Sequence, residues 1–145
     1  MAEVKGSIEI GRPAKDVFEY LSDPKNNVEW EKSVLESELT SEGPIGVGTQ
    51  GRIVENFLGS NKGTWEITEY AQDKVIAFAF ESEQISGERR FELKSTDSDT
   101  TLKYWLKGTP RNAILKLLMP LMMPIFKREV RQDYERLKGI LEERR

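Results

Sequence analysis

The sequence predicts an α+β protein in which seven antiparallel strands come before one long helix. Three observations carry that prediction. Through most of residues 32–108 apolar and polar side chains alternate with period two, the signature of half-buried strands. The separators within that stretch are too short for the crossover a parallel pair needs, so consecutive strands must form hairpins. In the last third, Phe126, Val130, Tyr134, Leu137 and Leu141 follow at spacings of four, four, three and four, a single stripe along a helix.

The elements follow in order. Residues Val4–Ile10 place Val4, Ile8 and Ile10 on one face and Lys5, Ser7 and Glu9 on the other, a half-buried first strand. Pro13 suits the first turn of a helix whose buried stripe is Ala14, Val17, Phe18 and Leu21; Asp23-Pro24 ends it. A short helix or turn leads on to Trp30. Strands are then expected over Lys32–Thr40, Val47–Leu58, Gly63–Tyr70, Lys74–Ser82, Ser86–Lys94 and Thr101–Gly108, divided by turn-rich segments such as Gly59-Ser60-Asn61-Lys62-Gly63 and Ser95-Thr96-Asp97-Ser98-Asp99. Between the last strand and the helical stripe, residues 113–126 are apolar on every side with Lys116 as the one charge. Pro120 and Pro124 each remove an intrahelical hydrogen bond, so a kink or a split into two helices is expected there.

Composition narrows the chemistry. The chain of 145 residues has 22 basic and 25 acidic residues, a net charge of −3. No overall basic field exists to hold nucleic acid. It contains no cysteine and no histidine. Disulfides, thiolate nucleophiles, sulfur- or imidazole-bound metals and the Ser-His-Asp arrangement are therefore excluded. A hard-cation site built only from carboxylates stays open, but no Asp-x-Asp-x-Asp-Gly loop is present, so neither a metal nor a cofactor is expected. Catalysis, if any, would fall to carboxylates, Tyr, Lys, Arg or Ser. Met1-Ala2-Glu3-Val4-Lys5 lacks the apolar run of a signal peptide and no run of 18 apolar residues occurs, so a cytoplasmic protein is expected. The spacing of Gly43, Gly46, Gly48 and Gly51 does not fit a phosphate-binding loop; these glycines are expected to let strands turn and pass close to a neighbouring helix.

One succession of motifs is more specific. Glu29-Trp30-Glu31 precedes a strand, Gly46-Val47-Gly48-Thr49 enters the next, and Thr64-Trp65-Glu66-Ile67-Thr68-Glu69-Tyr70 is a Trp-x-Ile strand that ends in an aromatic. This resembles the polyketide cyclase/dehydrase branch of the START-like (helix-grip) superfamily, and the strand–helix–helix–six strands–helix order is the order of that fold. The resemblance implies one ligand-binding domain over residues 1–145. In it, a curved seven-stranded antiparallel sheet wraps the long C-terminal helix, two short helices follow the first strand, and an apolar cavity lies between sheet and helix. The function implied is binding of a hydrophobic small molecule (lipid-, quinone- or polyketide-like) as carrier or sensor. Two alternatives stand beside it: a polyketide aromatase/cyclase-type enzyme, and an interaction protein that touches a membrane or partner through residues 113–126.

Strand parity selects the expected cavity wall. Leu106 and Tyr104 alternate with Lys103, Trp105 and Lys107; Phe91 and Leu93 alternate with Arg90, Glu92 and Lys94. Phe78 and Phe80 share a face with Ile76, and Trp65 shares one with Ile67. With Met119 and Met123 from the segment at the cavity mouth, the expected ligand-binding set is Trp65, Ile67, Phe78, Phe80, Phe91, Leu93, Tyr104, Leu106, Met119 and Met123. A line of Phe, Leu and Ile on one strand face equally reads as plain core. Polar members mark the difference, because buried polar groups need partners. Tyr104, Arg89 and Glu69 fall on inward parity, and either a ligand or an Arg89–Glu69 pair would satisfy them. With Arg52, which can face either way, they are the candidate catalytic residues. The 113–126 segment reads either as a buried, kinked helix start or as a gate or membrane-touching patch. Glu69 and Glu55 are the carboxylates whose burial would produce a titration near neutrality.

Overall fold

The computed structural model describes residues 2–143; of the sequence expectations, those on Met1, Arg144 and Arg145 lie outside the described residues. Seven strands form one antiparallel sheet in the order β1-β7-β6-β5-β4-β3-β2. They are β1 (Ala2–Ile10), β2 (Val34–Leu39), β3 (Gln50–Asn56), β4 (Ser60–Ala71), β5 (Val75–Ser82), β6 (Ile85–Thr96) and β7 (Asp99–Pro110). Between β1 and β2 lie α1 (Ala14–Ser22), a 3₁₀ turn (Pro24–Asn26) and the single-turn α2 (Asn27–Trp30); α3 (Ala113–Glu143) closes the chain. The helix-grip architecture is thus present. β4, β6 and β7 each run beyond the expected ends, because turns occupy fewer of the Gly, Ser and Asp residues than composition suggests.

Local chemistry explains the joints. The Pro13 carbonyl accepts from the Asp16 and Val17 N–H groups, and the Asp23 carboxylate accepts from Lys25 N–H at 3.1 Å to start the 3₁₀ turn. Gly43 and Gly48 hold φ of +96° and +92°, the turning role expected of them. Gly51 serves another purpose: a Cβ there would lie 2.0 Å from the Trp65 ring. It makes room for an indole on the adjacent strand, not for a helix.

The packed core fills one half of the grip. Ile10, Val17, Phe18, Leu21, Ile67, Ile76, Leu93, Leu102, Leu137 and Leu141 are buried together. The C-terminal half of α3 is stitched to the start of the chain. Gly11 N–H donates to Glu142 at 2.7 Å, Arg12 donates to the Leu141 carbonyl at 2.8 Å, and Lys138 donates to the Glu9 carbonyl at 2.6 Å.

The N-terminal half of α3 departs from expectation twice. Despite Pro120 and Pro124 it is one continuous 31-residue helix. Both prolines are on the exposed side, where water can satisfy the carbonyls they free. Nor is this segment a buried helix start. Leu115 and Met119 are buried, but Ile114, Leu117, Leu118, Leu121 and Ile125 are exposed.

A candidate ligand cavity with one polar pole

Where the core ends, sheet and helix part around a cavity of about 440 Å³. Its apolar wall comes from alternate positions of six strands and from α3. Val4 of β1, Ile53 of β3, Trp65 of β4, Phe78 and Phe80 of β5, Phe91 of β6, Tyr104 and Leu106 of β7, and Met119, Met122, Met123 and Phe126 of α3 all line it. Phe78 links two edge-on aromatic contacts, to Trp65 at 5.6 Å and to Phe91 at 6.4 Å. Of the ten residues expected to bind ligand, Ile67 and Leu93 are not on this wall. Their parity is inward, but they lie toward the closed end, where the core leaves no gap.

The polar pole is built on Arg89. It points inward, as strand parity requires, but its partner is not Glu69. The guanidinium pairs with Glu31, immediately after α2, and donates to the Tyr134 hydroxyl at 3.4 Å. It lies over the Trp30 ring at 5.2 Å and the Phe91 ring at 5.0 Å, two cation–π contacts. Burial on its own would lower the guanidinium pKa; the Glu31 carboxylate, with help from Tyr134, outweighs this and holds it above its ordinary value. Burial raises the Tyr134 phenol, with Arg89 opposing. Tyr104 stacks on Tyr134 at 3.7 Å and 10°, and its own hydroxyl lies over Gly6, where a Cβ would come within 2.5 Å.

Glu55 of β3 completes the pole. It lines the cavity, and its pKa is pushed from the ordinary 4.5 up to about 7. Burial is the main cause and repulsion from Glu31 adds to it, while Arg89 opposes. Around this pole Trp30 Nε1, Glu31 Oε2, Trp65 Nε1 and Arg89 Nε are buried with no hydrogen-bond partner among the described residues, and all four residues line the cavity. Unpaired buried donors and acceptors are costly, so the protein holds both signs of polar group ready here.

Two expected site residues lie elsewhere. Trp65, Ile67 and Glu69 share parity, but the β4–β5 register shifts between Ile67 and Glu69. This bulge sends Tyr70 inward against Phe18 at 5.3 Å and turns Glu69 outward, where it pairs with Arg90. Arg52 is opposite Glu38 across β2–β3 and pairs with it on the exposed face. Conversely, parity does not flag Glu31, which sits after a helix rather than in a strand. Tyr134 was legible only as one position of the apolar stripe.

The Glu55 pKa makes a testable prediction. An acid whose folded pKa exceeds its unfolded value holds its proton more tightly when folded. The stability this gives is complete below about pH 4.5 and is lost as pH rises through about 7. Stability should therefore fall across that window, and Glu55→Gln should flatten the fall. Chemical denaturation at several pH values checks this, and parallel profiles for the two proteins would refute it.

Comparison with known proteins agrees with this architecture. The sequence profile described as polyketide cyclase / dehydrase and lipid transport matches residues 1–142. No curated protein matches the sequence significantly. Among solved structures, the Zhui aromatase/cyclase of a Streptomyces species superposes with a TM-score of 0.81 at 18% identity, covering 99% of this chain and 94% of its own. A Thermus thermophilus protein gives 0.80 at 19% identity, covering 97% of each chain. A START superfamily protein from Mycobacterium smegmatis gives 0.73 at 18%, covering 98% and 95%. At these identities the structural likeness establishes the fold, whereas the profile spans nearly every residue. On that match the chain belongs to the polyketide cyclase/dehydrase and lipid transport family.

Proposed function

We propose that this protein binds a single hydrophobic small molecule between sheet and α3, with an oxygen-bearing group of the ligand set against Arg89, Glu31 and Glu55. The observation that carries this reading is the cavity itself. Its volume of about 440 Å³ lies within the roughly 300–1,000 Å³ of small-molecule sites, which pair apolar walls with a few convergent polar groups. A lipid-, quinone- or polyketide-like molecule has that character: a long or fused apolar body with carbonyl or hydroxyl groups at one end. A carrier or sensor needs nothing more than this.

Binding of a fluorescent fatty acid should saturate at about one per chain, and native mass spectrometry should detect co-purified ligand. Leu106→Trp, which places a larger ring on the cavity wall, should abolish binding while the protein stays folded. Absence of saturable binding in the unaltered protein would sink the container reading.

A second reading, aromatase/cyclase chemistry, draws support from one group. Glu55 titrates near neutrality inside the cavity, the condition for a general acid or base working at physiological pH. Glu55 would then join Arg89 and Tyr104 at the site, in place of Glu69 and Arg52, which form exposed pairs. Under this reading Glu55→Gln abolishes turnover of a poly-β-ketone and spares its binding.

A further inference from the structure

α3 carries two apolar faces, and the cavity uses one of them. Met119, Met122, Met123 and Phe126 line the cavity. On the far side Ile114, Leu117, Leu121 and Ile125 are between 65% and 78% exposed, with Leu118 beside them. At 3.6 residues per turn these five fall within an arc of about 100°. Isolated exposed aliphatics need no explanation, but a continuous stripe marks an interaction surface.

Charge identifies the occupant. From Arg111 to Arg128 the chain has four cations, Arg111, Lys116, Lys127 and Arg128, and no carboxylate, although the protein as a whole carries −3. Arg111 is engaged by Glu81 at 3.0 Å; by the same helical geometry Arg128 continues the stripe at its C-terminal end, and Lys116 and Lys127 share the sector on one side of it. Glu129 is the next residue, so a second copy of this face would set three cations against three with one acid on each side to pair them, which disfavours a symmetric dimer. No helix among the described residues is long and apolar enough to cross a membrane. An aliphatic stripe flanked by Lys and Arg instead suits a helix lying in the plane of an anionic bilayer.

We propose that this outer face of α3 docks on an anionic phospholipid surface. Docked in this way, α3 itself separates the cavity from the lipid, with Met122, Met123 and Phe126 of the same turns forming the inner wall. The β3–β4 tip adds exposed Leu58 beside Phe57 of the cavity wall. The inference does not depend on what fills the cavity.

The test is flotation of the full chain with vesicles of phosphatidylcholine alone and with about one-third phosphatidylglycerol, at low and high salt. Binding should require phosphatidylglycerol and weaken with salt. Lys127→Gln and Arg128→Gln should each reduce partitioning by about fivefold. The double variant Leu117→Gln/Leu121→Gln, at two exposed positions, should keep its melting temperature and lose partitioning by tenfold or more, a floor set by the roughly 1.5–3 kcal/mol gained when one leucine is buried. Binding that ignores the leucines, or equal binding to both vesicles, overturns the proposal. So does failure to float at all, including the case in which the same leucine variant dissociates a dimer.

Discussion

Trp30→Ala should destabilise the protein by about 3–5 kcal/mol, the range for deleting a large buried ring. Trp30 is 1% exposed and packs on Tyr134 at 5.1 Å and on Phe91 at 6.4 Å. Its own carbonyl accepts from Arg136 at 2.8 Å, so this one residue ties the end of α2 to both β6 and α3. Phe78→Ala is the informative contrast. Phe78 touches Trp65 and Phe91 but is only partly buried, so fewer contacts are lost and the cost should be clearly smaller. Chemical denaturation of the two variants decides the matter. Equal costs would mean that Phe78 has neighbours on every side and that the cavity closes over it in solution.

Glu31→Gln should have an effect of the same size for a different reason. Arg89 and Glu31 have side chains only 18% and 10% exposed, and breaking a buried pair leaves an uncompensated charge, at about 3–5 kcal/mol. Arg89→Met combined with Glu31→Leu removes both charges and should recover much of that loss, since apolar replacement of a buried pair is often neutral or better. Glu55 supplies an internal control. Glu31 is one cause of its raised pKa, so Glu31→Gln should lower the Glu55 pKa and let it serve Arg89 in part. If the single and double variants prove equally stable, the pair adds little, and its use lies in orienting ligand.

The apolar side of this structure was legible in the sequence because strand parity is a local property. Phe78, Phe80, Phe91, Tyr104 and Leu106 face the cavity from strands whose alternation is unbroken. Parity failed at Glu69, where one bulge in β4 reverses the outcome and nothing in Glu66-Ile67-Thr68-Glu69-Tyr70 announces it. It gave no partner for Arg89, because Glu31 reaches the cavity from the end of a helix and only the tertiary arrangement brings the two together. The prolines of α3 misled in the opposite sense. Proline breaks helices that must satisfy every carbonyl internally, and these two occupy an outer surface with that requirement relaxed.

The order of strands in the sheet bears on how the chain comes together in time. From β2 to β7 each strand pairs with its successor, so closure of each hairpin orders only a short loop. β1 differs: Ala2 is opposite Gly108 and Ile10 is opposite Thr100. β1 thus leaves the ribosome before its partner β7 and waits for it, and for α3 after it. Until then its apolar residues Val4, Ile8 and Ile10 form an unpaired strand, a template for misassembly with other chains. Glu3, Lys5 and Glu9, all exposed in the finished fold, alternate with that apolar face and protect it during the wait. In the folded protein these charges mark a sheet edge; on a nascent chain the same charges disfavour pairing with a foreign strand.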